Sequence, residues 1–373
     1  MHIPFCVKKC FYCDFVSFPG MENLHKRYID CLTKELKQEW SKLCNDYFIS
    51  SVYIGGGTPS SIDSGFIDGL LKILKDAESD AEITMEMNPG TKFGLENVTN
   101  NVIDFPRVNR LSIGLQSANN EILNQIGRIH SFEQFVETYN YARNVGVNNI
   151  NVDLMIGLPN QTICDLKDSL EKVISLQPEH VSVYSLIIEE GTKLYELSKR
   201  GMLFLPDEEK ERQMYWYAKN TLELNGYKHY EISNFAKPGF ESKHNVNCWK
   251  QKEYVGVGLA ASSYLHGVRY VNISDLYEYM DNIESNRFDD NRIIQEVQSA
   301  DEMQREFMLL GLRMIDGVSI SDFKSKFREN PVFALKNELS GLVDNGLIII
   351  DGDRIKLTNK GLDLANQVWM QFV

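Results

Sequence analysis

Short β-rich segments alternate with amphipathic helical segments through the first half of the chain, and this alternation limits the folds that the chain can adopt. No hairpin signal separates the β-rich segments, which predicts parallel strands joined by right-handed crossovers. We therefore predict an α/β fold, a full or partial (β/α)6 barrel whose first strand is the "MHIP" start. The other predicted strands are 51–57, 82–89, 110–117, 149–157 and 180–188, and the clearest helices are 63–76, 131–144 and 162–176.

Composition indicates a soluble globular chain: it has 373 residues, 43% of them hydrophobic, and this length suggests two or three domains. The start "MHIPFC" has no signal-peptide pattern, and no segment approaches the ~18 apolar residues of a membrane span. We therefore expect a cytoplasmic protein without membrane insertion. A formal net charge of -13 argues against nucleic acid as a partner. In the cytoplasm the seven cysteines stay reduced, which favours metal binding or chemistry over disulfides.

Unusual residues stand where the predicted strands end. Because the C-terminal strand ends of a βα barrel share one mouth, these residues should lie near each other, and the loop after the first strand opens there too. Plainer explanations exist, since a glycine-rich exit is often only a tight turn and a single aspartate is often a satisfied structural group. The residues are 55–59 ("GGGTP"), Glu86, Asn88, Gln116, Ser117 and Asp153.

Three cysteines, Cys6, Cys10 and Cys13, stand within eight residues near the start of the chain, with Phe15 where a fourth sulfur could have followed. Structural zinc takes four nitrogen or sulfur ligands, usually as two pairs, and no second pair matches here. A redox dithiol needs only two thiols. A C-x3-C-x2-C loop suits a [4Fe-4S] cluster bound at three irons, with the fourth iron open to a small ligand. We favour the cluster over the other two explanations.

The cysteine loop and an ordered series of later motifs resemble the radical S-adenosylmethionine superfamily. More narrowly, they resemble the HemW branch, the heme chaperones within the oxygen-independent coproporphyrinogen III oxidase family. The resemblance covers essentially the whole chain, and such a series is far more specific than any single motif. In chain order the motifs are "GGGTP", "EMNP", "NRLSIGLQS", "GRIH", "NVDLMIGLPNQT", "YEISNFA", "HNVNCW" and "GLVDNGLIIIDGDRIKLTNKG".

The resemblance implies two cofactors in one site. Cys6, Cys10 and Cys13 match the ligands of a [4Fe-4S] cluster whose open iron chelates S-adenosylmethionine. One electron from a donor then breaks a C–S bond of the cofactor, giving methionine and a 5'-deoxyadenosyl radical. Gly56 and Gly57 lack the Cβ that would block the backbone from the methionine moiety. The positions that match the family's other cofactor contacts are Thr58, Glu86, Gln116, Arg128 and Asp153.

These side chains have suitable chemistry for that cofactor. Carboxylates and amides can bond its ammonium and ribose hydroxyls, and Arg128 can pair with its carboxylate. A solvated charge at a helix end is the plainer explanation of Arg128. The sequence departs from the family at two places near the loop. The tyrosine that family members carry six residues before the first cysteine is missing, so we expect an incomplete first strand and weaker cofactor binding. Phe15 matches heme chaperones, whereas decarboxylating members have a cysteine there.

The stretch "HNVNCW" resembles the HNxxYW motif of HemW, with Cys248 in place of tyrosine. His244 is therefore our candidate heme ligand, because neutral imidazole is a common axial ligand. A structural hydrogen bond is the plainer role for a single histidine. Cys248 adds a candidate thiolate ligand, although a buried free cysteine is the plainer explanation. The following "GVGLAASSY" has Ser262 where the family has histidine, and no strand–turn–helix unit supports a dinucleotide site there.

The last part of the chain has a different pattern. From about residue 300, helical stretches lead to a helix, two strands joined by "DGD" and a further helix start, which is typical of a winged-helix-like module. Lys324, Lys326 and Arg328 could form a basic patch, but acidic residues between them favour packing or partner docking over nucleic acid. The predicted domains are a radical SAM barrel at 1–235, a connecting segment at 236–299 and the winged-helix-like domain at 300–373.

Together these observations predict a HemW-like protein that binds heme and transfers it to acceptor proteins. Its predicted cofactors are the [4Fe-4S] cluster and S-adenosylmethionine, with heme as cargo and an electron donor as a further partner. The first alternative is an oxygen-independent coproporphyrinogen III dehydrogenase, which the phenylalanine at 15 disfavours. The second alternative is a regulatory protein that binds a partner or nucleic acid through its C-terminal region.

Overall fold

The computed structural model describes residues 1–74, 80–91 and 107–373. Contacts within the chain group it into two units. The first unit comprises Met1–Gly226, Gly256–Ser262 and Val271–Ile293, and the second comprises Tyr227–Val255, Ser263–Tyr270 and Ile294–Val373. The predicted division of the chain at residues 235 and 299 stays a prediction.

Eight strands are described within the first 185 residues of the first unit. They are β1 His2–Ile3, β2 Phe5–Cys6, β3 Phe18–Pro19, β4 Ser51–Gly56, β5 Glu82–Met87, β6 Arg110–Gln116, β7 Ile150–Ile156 and β8 His180–Ser185. Six of them form parallel pairs in the order β1-β4-β5-β6-β7-β8. The remaining two, β2 and β3, pair with each other in parallel. Because the six strands are parallel, their carboxyl ends all lie at the same end of the sheet.

Amphipathic helices connect these strands. They are α1 His25–Leu43, α2 Ser64–Ile73, α3 Asn120–Gln125, α4 Phe132–Asn144, α5 Ile163–Ser175, α6 Lys193–Lys199 and α7 Glu208–Leu224. Capping boxes precede α4 and α5. The Ser131 and Gln134 side chains each accept from the other residue's backbone N–H, and Thr162 and Asp165 do the same. On α5, Leu166, Leu170 and Val173 recur at helical spacing and are buried.

The first unit confirms the predicted α/β fold with a parallel sheet. All six predicted strands are present, and the helices predicted at 131–144 and 162–176 agree with α4 and α5 to within one residue at each end. The helix predicted at 63–76 corresponds to α2, although its last two predicted residues lie outside the described part of the chain. The strands predicted at 82–89 and 180–188 end two and three residues early.

A buried carboxylate ties later parts of the first unit to its first long helix. Glu35 on α1 accepts hydrogen bonds from Gly258 N at 2.6 Å, Asn272 Nδ2 at 2.7 Å and the Tyr279 hydroxyl at 2.7 Å. Burial raises the pKa of Glu35 and these three donors oppose the rise. Each buried carboxylate oxygen therefore has a partner, which makes this a structural contact rather than a candidate site.

The second unit begins with the antiparallel pair β9 Lys228–Glu231 and β10 Asn234–Ala236, followed by the short helix α8 Lys243–Trp249. Strands β11 Ser262–Leu265, β12 Val268–Asn272 and β13 Arg292–Val297 form a three-stranded sheet, and α9 Leu276–Glu284 belongs to the first unit. The remaining α-helices and strands are α10 Ala300–Gly311, β14 Val318–Ser319, α11 Ile320–Phe327, α12 Pro331–Ala334, α13 Lys336–Asp344, β15 Ile348–Asp351, β16 Arg354–Leu357, α14 Asn359–Asp363 and α15 Ala365–Trp369.

The C-terminal part of the second unit has its own apolar core, which includes Phe307, Phe323, Leu339 and Ile355. Its three-stranded sheet has the order β14-β16-β15. The predicted succession of helix, two strands and helix is present as α13, β15, β16 and α14. Its assignment as a winged-helix-like module stays a prediction. Among the helices that the structure describes, none is both long enough and apolar enough to cross a membrane.

Candidate functional site

The cysteine loop of the first unit runs between β2 and β3, which close its base by pairing Phe5 with Phe18. Two backbone hydrogen bonds hold the far side of the loop. Phe11 N donates to Ile126 O over 2.9 Å, and Leu194 N donates to Phe11 O over 2.9 Å. Because Ile126 and Leu194 follow β6 and β8, the loop lies beside the carboxyl ends of the parallel strands.

The three loop cysteines are free thiols, and each is partly exposed. Burial raises the pKa of Cys6, and it raises that of Cys13 to about 11, so iron binding must displace protons from both. Within the described residues, no three His, Cys, Asp or Glu side chains converge on a point where one metal ion could bind. A four-iron cluster takes one thiolate per iron, so its ligands need not share such a point. Cluster binding at Cys6, Cys10 and Cys13 stays a prediction.

A chain of hydrogen bonds joins two of these thiols. Thr58 Oγ1 donates to Cys6 Sγ over 3.6 Å and accepts from Asn88 Nδ2 over 2.7 Å. Asn88 Oδ1 accepts from Arg128 Nη2 over 2.8 Å, and Arg128 Nη1 donates to Cys10 Sγ over 3.5 Å. We call Thr58, Asn88 and Arg128 the thiol network. Its members follow three different strands, β4, β5 and β6, so only the fold brings them together.

Arg128 is buried, with 7% of its surface exposed, so the explanation of this residue as a solvated helix-end charge is wrong. Its Nη2 also donates to Gly114 O over 2.5 Å, and its Nε has no hydrogen-bond partner. Its charge joins burial in lowering the pKa of His130 to about 3, which keeps that imidazole neutral. A buried cation with an unused N–H and a hydrogen bond to the Cys10 thiol fits an anionic group, such as a thiolate-bound cluster or a carboxylate.

Glu86 lies at the carboxyl end of β5 and is held by two donors. The Tyr53 hydroxyl donates to Oε1 over 2.8 Å, and Gly56 N donates to Oε2 over 3.1 Å. Burial, reinforced by the negative charge of Asp153, raises the pKa of Glu86 to about 7 despite these hydrogen bonds. Near neutral pH the side chain can therefore either accept or donate a hydrogen bond, which suits contact with an ammonium or a hydroxyl group.

Asp153 and Gln116 lie on neighbouring strands. Asp153 accepts from Asn151 Nδ2 over 2.8 Å and from Ser112 Oγ over 3.1 Å, and burial raises its pKa. The plainer explanation of Asp153 as a hydrogen-bonded structural group thus has support in these contacts. Gln116 ends β6 in a left-handed conformation, with φ of 72° next to a register shift at Gly114. This bulge directs the end of β6 away from the regular ladder.

Gly56 and Gly57 have internal reasons to be glycine. Gly56 has φ of 114°, and a Cβ there would lie 1.8 Å from the His2 ring. A Cβ on Gly57 would lie 2.5 Å from Phe5 O. The end of β4 therefore approaches the start of the chain too closely for a side chain, with or without a cofactor. Their predicted role in leaving room for the methionine moiety stays a prediction.

Asn88, which was predicted to lie at the mouth but not to contact a cofactor, is the centre of the thiol network. A signal was present, since Asn88 follows Glu86 by two residues and side chains two apart on a strand share a face. The partner of Asn88 could not be predicted, because Thr58 and Arg128 are 30 and 40 residues away in sequence.

His244 belongs to α8 of the second unit. The helix begins after Ser242, whose Oγ accepts from Asn245 N over 3.3 Å. His244 Nε2 lies 4.0 Å from Cys248 Sγ, one helical turn away, and both side chains are partly exposed. Burial raises the pKa of the Cys248 thiol, while the nearby Arg269 guanidinium opposes this shift. The helix thus presents two side chains that can ligate iron.

Cation–π contacts within the second unit hold the end of α8 in place. The Arg313 guanidinium carbon lies 4.4 Å from the Trp249 ring centroid and 4.9 Å from that of Trp369. Arg313 O also accepts from Ile232 N over 3.1 Å. The "YEISNFA" and "HNVNCW" motifs, which contain Ile232 and Trp249, therefore meet at Arg313. Cation–π contacts of this kind contribute about 0.5–2 kcal/mol each.

Comparison with known proteins agrees with the motifs. Residues 1–173 match the model of the Radical SAM superfamily, and residues 298–364 match that of the HemN C-terminal domain. The structure of coproporphyrinogen III oxidase (HemN) from Escherichia coli, a radical SAM enzyme, superposes with a TM-score of 0.83. The two chains are 23% identical, and the match covers 100% of this chain and 88% of that one, so it shows a shared fold.

Two curated relatives match along the entire chain. The heme chaperone HemW of Lactococcus lactis subsp. lactis is 38% identical over 100% of this chain and 96% of its own length. The heme chaperone HemW of Bacillus subtilis is 36% identical over 100% of this chain and 98% of its own length. The resemblance inferred from the motifs is thereby confirmed, and the chain belongs to the HemW family of the radical SAM superfamily.

Proposed function

We propose that this chain holds a [4Fe-4S] cluster and S-adenosylmethionine in its first unit, and that it carries heme on its second unit for transfer to acceptor proteins. The observation that supports this most is the match to two heme chaperones over 100% of the chain, with both the cysteine loop and α8 inside the matched region. The two candidate sites lie in different units, which suits a protein that keeps its cofactors while its cargo comes and goes.

In the first unit, Cys6, Cys10 and Cys13 would bind the cluster. Bound there, cluster and S-adenosylmethionine supply one-electron cleavage of a C–S bond. Thr58 and Arg128 donate to the sulfurs of two of the cysteines, which fixes their positions and favours their anionic forms. The candidate contacts for the amino acid and ribose parts of the cofactor are Gly56, Gly57, Thr58, Glu86, Gln116, Arg128 and Asp153.

In the second unit, His244 is the proposed heme ligand. Its imidazole is partly exposed on a short helix, where a large flat ligand can reach it. The proposed partners are heme, proteins that accept heme and a one-electron donor for the cluster. A cytoplasmic location stays a prediction.

Two alternatives receive less support. Decarboxylation of coproporphyrinogen III rests on fold likeness alone, and Phe15, which is 61% exposed, occupies the position of the additional cysteine. Partner or nucleic-acid binding through the C-terminal region relied on a basic patch. Lys326 of that patch donates to Gln251 O and Oε1 within the second unit, so its charge is already engaged.

Anaerobic reconstitution followed by two parallel assays tests the proposal. In one assay, protein loaded with heme is mixed with the apo form of a b-type cytochrome, and transfer is followed by the change in the Soret band. In the other, coproporphyrinogen III is incubated with protein, S-adenosylmethionine and a reductant. We expect heme transfer without decarboxylation. Accumulation of protoporphyrinogen above a cluster-free control, without heme transfer, would overturn the proposal.

A further inference from the structure

We propose that Cys248 is a second axial ligand for heme iron on α8 and that it alternates with His244 according to the oxidation state of the iron. This inference rests on the proposed function, because it concerns the same cargo. It adds a ligand that depends on this chain's own sequence, which has cysteine where the HNxxYW pattern has tyrosine.

The geometry places both donors within reach of one iron atom. His244 and Cys248 are four residues apart on α8, so they lie on the same face of the helix, and His244 Nε2 is 4.0 Å from Cys248 Sγ. Both side chains are partly exposed. A heme iron that approaches either donor therefore comes close to the other.

The same geometry prevents both donors from binding one iron at once. Two axial ligands of one iron lie on opposite faces of the porphyrin. If His244 and Cys248 both bound the iron, the porphyrin would therefore have to lie between two side chains that are one helical turn apart. In that position the edge of the macrocycle would meet the helix backbone. The Cys248 side chain has only one carbon between its Cα and its sulfur, so the sulfur could not then reach the iron at the centre of the macrocycle. The two residues are therefore alternative ligands on a single face of the heme.

Burial raises the pKa of the Cys248 thiol, so iron binding would have to displace its proton. Among the charged groups that face it, the Arg269 guanidinium stabilises the thiolate. Arg269 is itself held in place, since it donates to Glu306 and lies 4.6 Å from the Tyr264 ring centroid. Arg269 thus offsets part of the cost of a thiolate at Cys248, while Glu306 and Glu296 share its charge.

Iron chemistry then assigns each ligand to one oxidation state. Ferric iron carries the higher charge and binds anionic thiolate more strongly, whereas neutral imidazole serves ferrous iron well. When ferric heme binds, an Fe–S bond forms and the thiol proton passes to solvent. When a one-electron donor reduces the iron, the Fe–S bond breaks, the sulfur takes up a proton, and a bond forms between iron and His244 Nε2. The ligand exchange would make the retention of heme depend on its redox state.

The test compares wild type with Cys248→Ser, Cys248→Tyr and His244→Ala, each loaded with hemin and then reduced with dithionite. Electron paramagnetic resonance reports the ligand of ferric iron, and optical spectroscopy reports both states. Cys164→Ser is the control, because Cys164 is an exposed thiol in the first unit. Circular dichroism and cluster iron content check that each variant is folded.

We expect a thiolate signature in ferric wild type and in Cys164→Ser, and its complete loss in both Cys248 variants. The ferrous spectra of these four proteins should coincide. His244→Ala should keep the ferric thiolate signature and lose its axial ligand, with release of heme, on reduction. Identical ferric spectra for folded wild type and Cys248→Ser would overturn the ligand exchange while leaving heme binding intact. Failure of wild type to bind heme would overturn the proposed function and this inference together.

Discussion

The mouth of the first unit and helix α8 of the second unit are two candidate sites built in opposite ways. At the mouth, the thiol network joins residues that are 30 and 40 positions apart, and its cation is buried. On α8, the two candidate ligands are four residues apart and partly exposed. The mouth is thus fixed by tertiary structure before any ligand binds, whereas α8 offers its donors on a local surface.

This difference suggests how the two sites tolerate change. A buried network loses several hydrogen bonds when one member is removed, so substitutions at the mouth should affect stability as well as binding. The two candidate ligands on α8 are partly exposed, so less of their surface is buried than that of Arg128. We therefore expect substitutions of His244 and Cys248 to alter heme ligation with a smaller effect on folding than substitutions at the mouth.

The largest expected effect is loss of the cluster. Substitution of Cys6, Cys10 or Cys13 by Ala should abolish bound iron and sulfide after anaerobic reconstitution, because three thiolates are the minimum for this cluster type. Iron and sulfide assays should give about four of each per chain in wild type. Cys44→Ala and Cys164→Ala change exposed thiols and serve as controls. Retention of a full cluster in any one of the loop variants would refute the ligand assignment.

Removal of the buried cation should have the next largest effect. Arg128→Met would leave Asn88 Oδ1, Gly114 O and Cys10 Sγ without their donor, so the free energy of unfolding should fall by about 3 kcal/mol. Denaturant unfolding of the cluster-free protein measures this change. Arg212→Met, at an exposed ion pair, should cost less than about 1 kcal/mol. Equal costs for the two substitutions would contradict a preorganised mouth.

Glu86 should make stability depend on pH. Its pKa is raised from 4.5 to about 7 in the folded chain, so the folded state binds a proton more tightly than the unfolded state. The resulting stabilisation is present below pH 4.5 and is lost as pH rises through about 7, by about 2 kcal/mol after allowance for relaxation. Glu86→Gln should remove this part of the decline in urea titrations between those pH values. Glu133→Gln, at an exposed carboxylate whose pKa is lowered, should leave the decline in place.

The smallest effects concern two glycines. Gly57→Ala places a Cβ 2.5 Å from Phe5 O and should lower the free energy of unfolding by about 1–2 kcal/mol. Gly341→Ala, within α13 of the second unit, meets nothing within 4 Å and should raise it by about 0.5–1 kcal/mol. Thermal unfolding distinguishes the two signs. A stabilising Gly57→Ala would show that the end of β4 is less crowded than the structure indicates.

The sequence predicted the elements better than the contacts. Strand and helix positions followed from periodicity, as β7 and α5 show, because each depends on nearby residues. The short distance between His244 and Cys248 is also local, but no helix was predicted at α8 and the pair was therefore missed. The links from Asn88 to Thr58 and Arg128 depend on how separate strands pack, and no local pattern encodes them. The burial of Arg128 could not be predicted for the same reason, because an arginine near a helix end is usually exposed to solvent.

Heme titration of two variants tests most directly whether the two sites are independent. The first variant replaces Cys6, Cys10 and Cys13 by Ala, and the second combines His244→Ala with Cys248→Ser. We predict that the cluster-free variant binds heme with the wild-type Soret spectrum, whereas the α8 variant keeps its four irons and loses axial ligation of heme. The opposite result, with wild-type heme binding in the α8 variant and none in the cluster-free variant, would contradict the assignment of heme to α8.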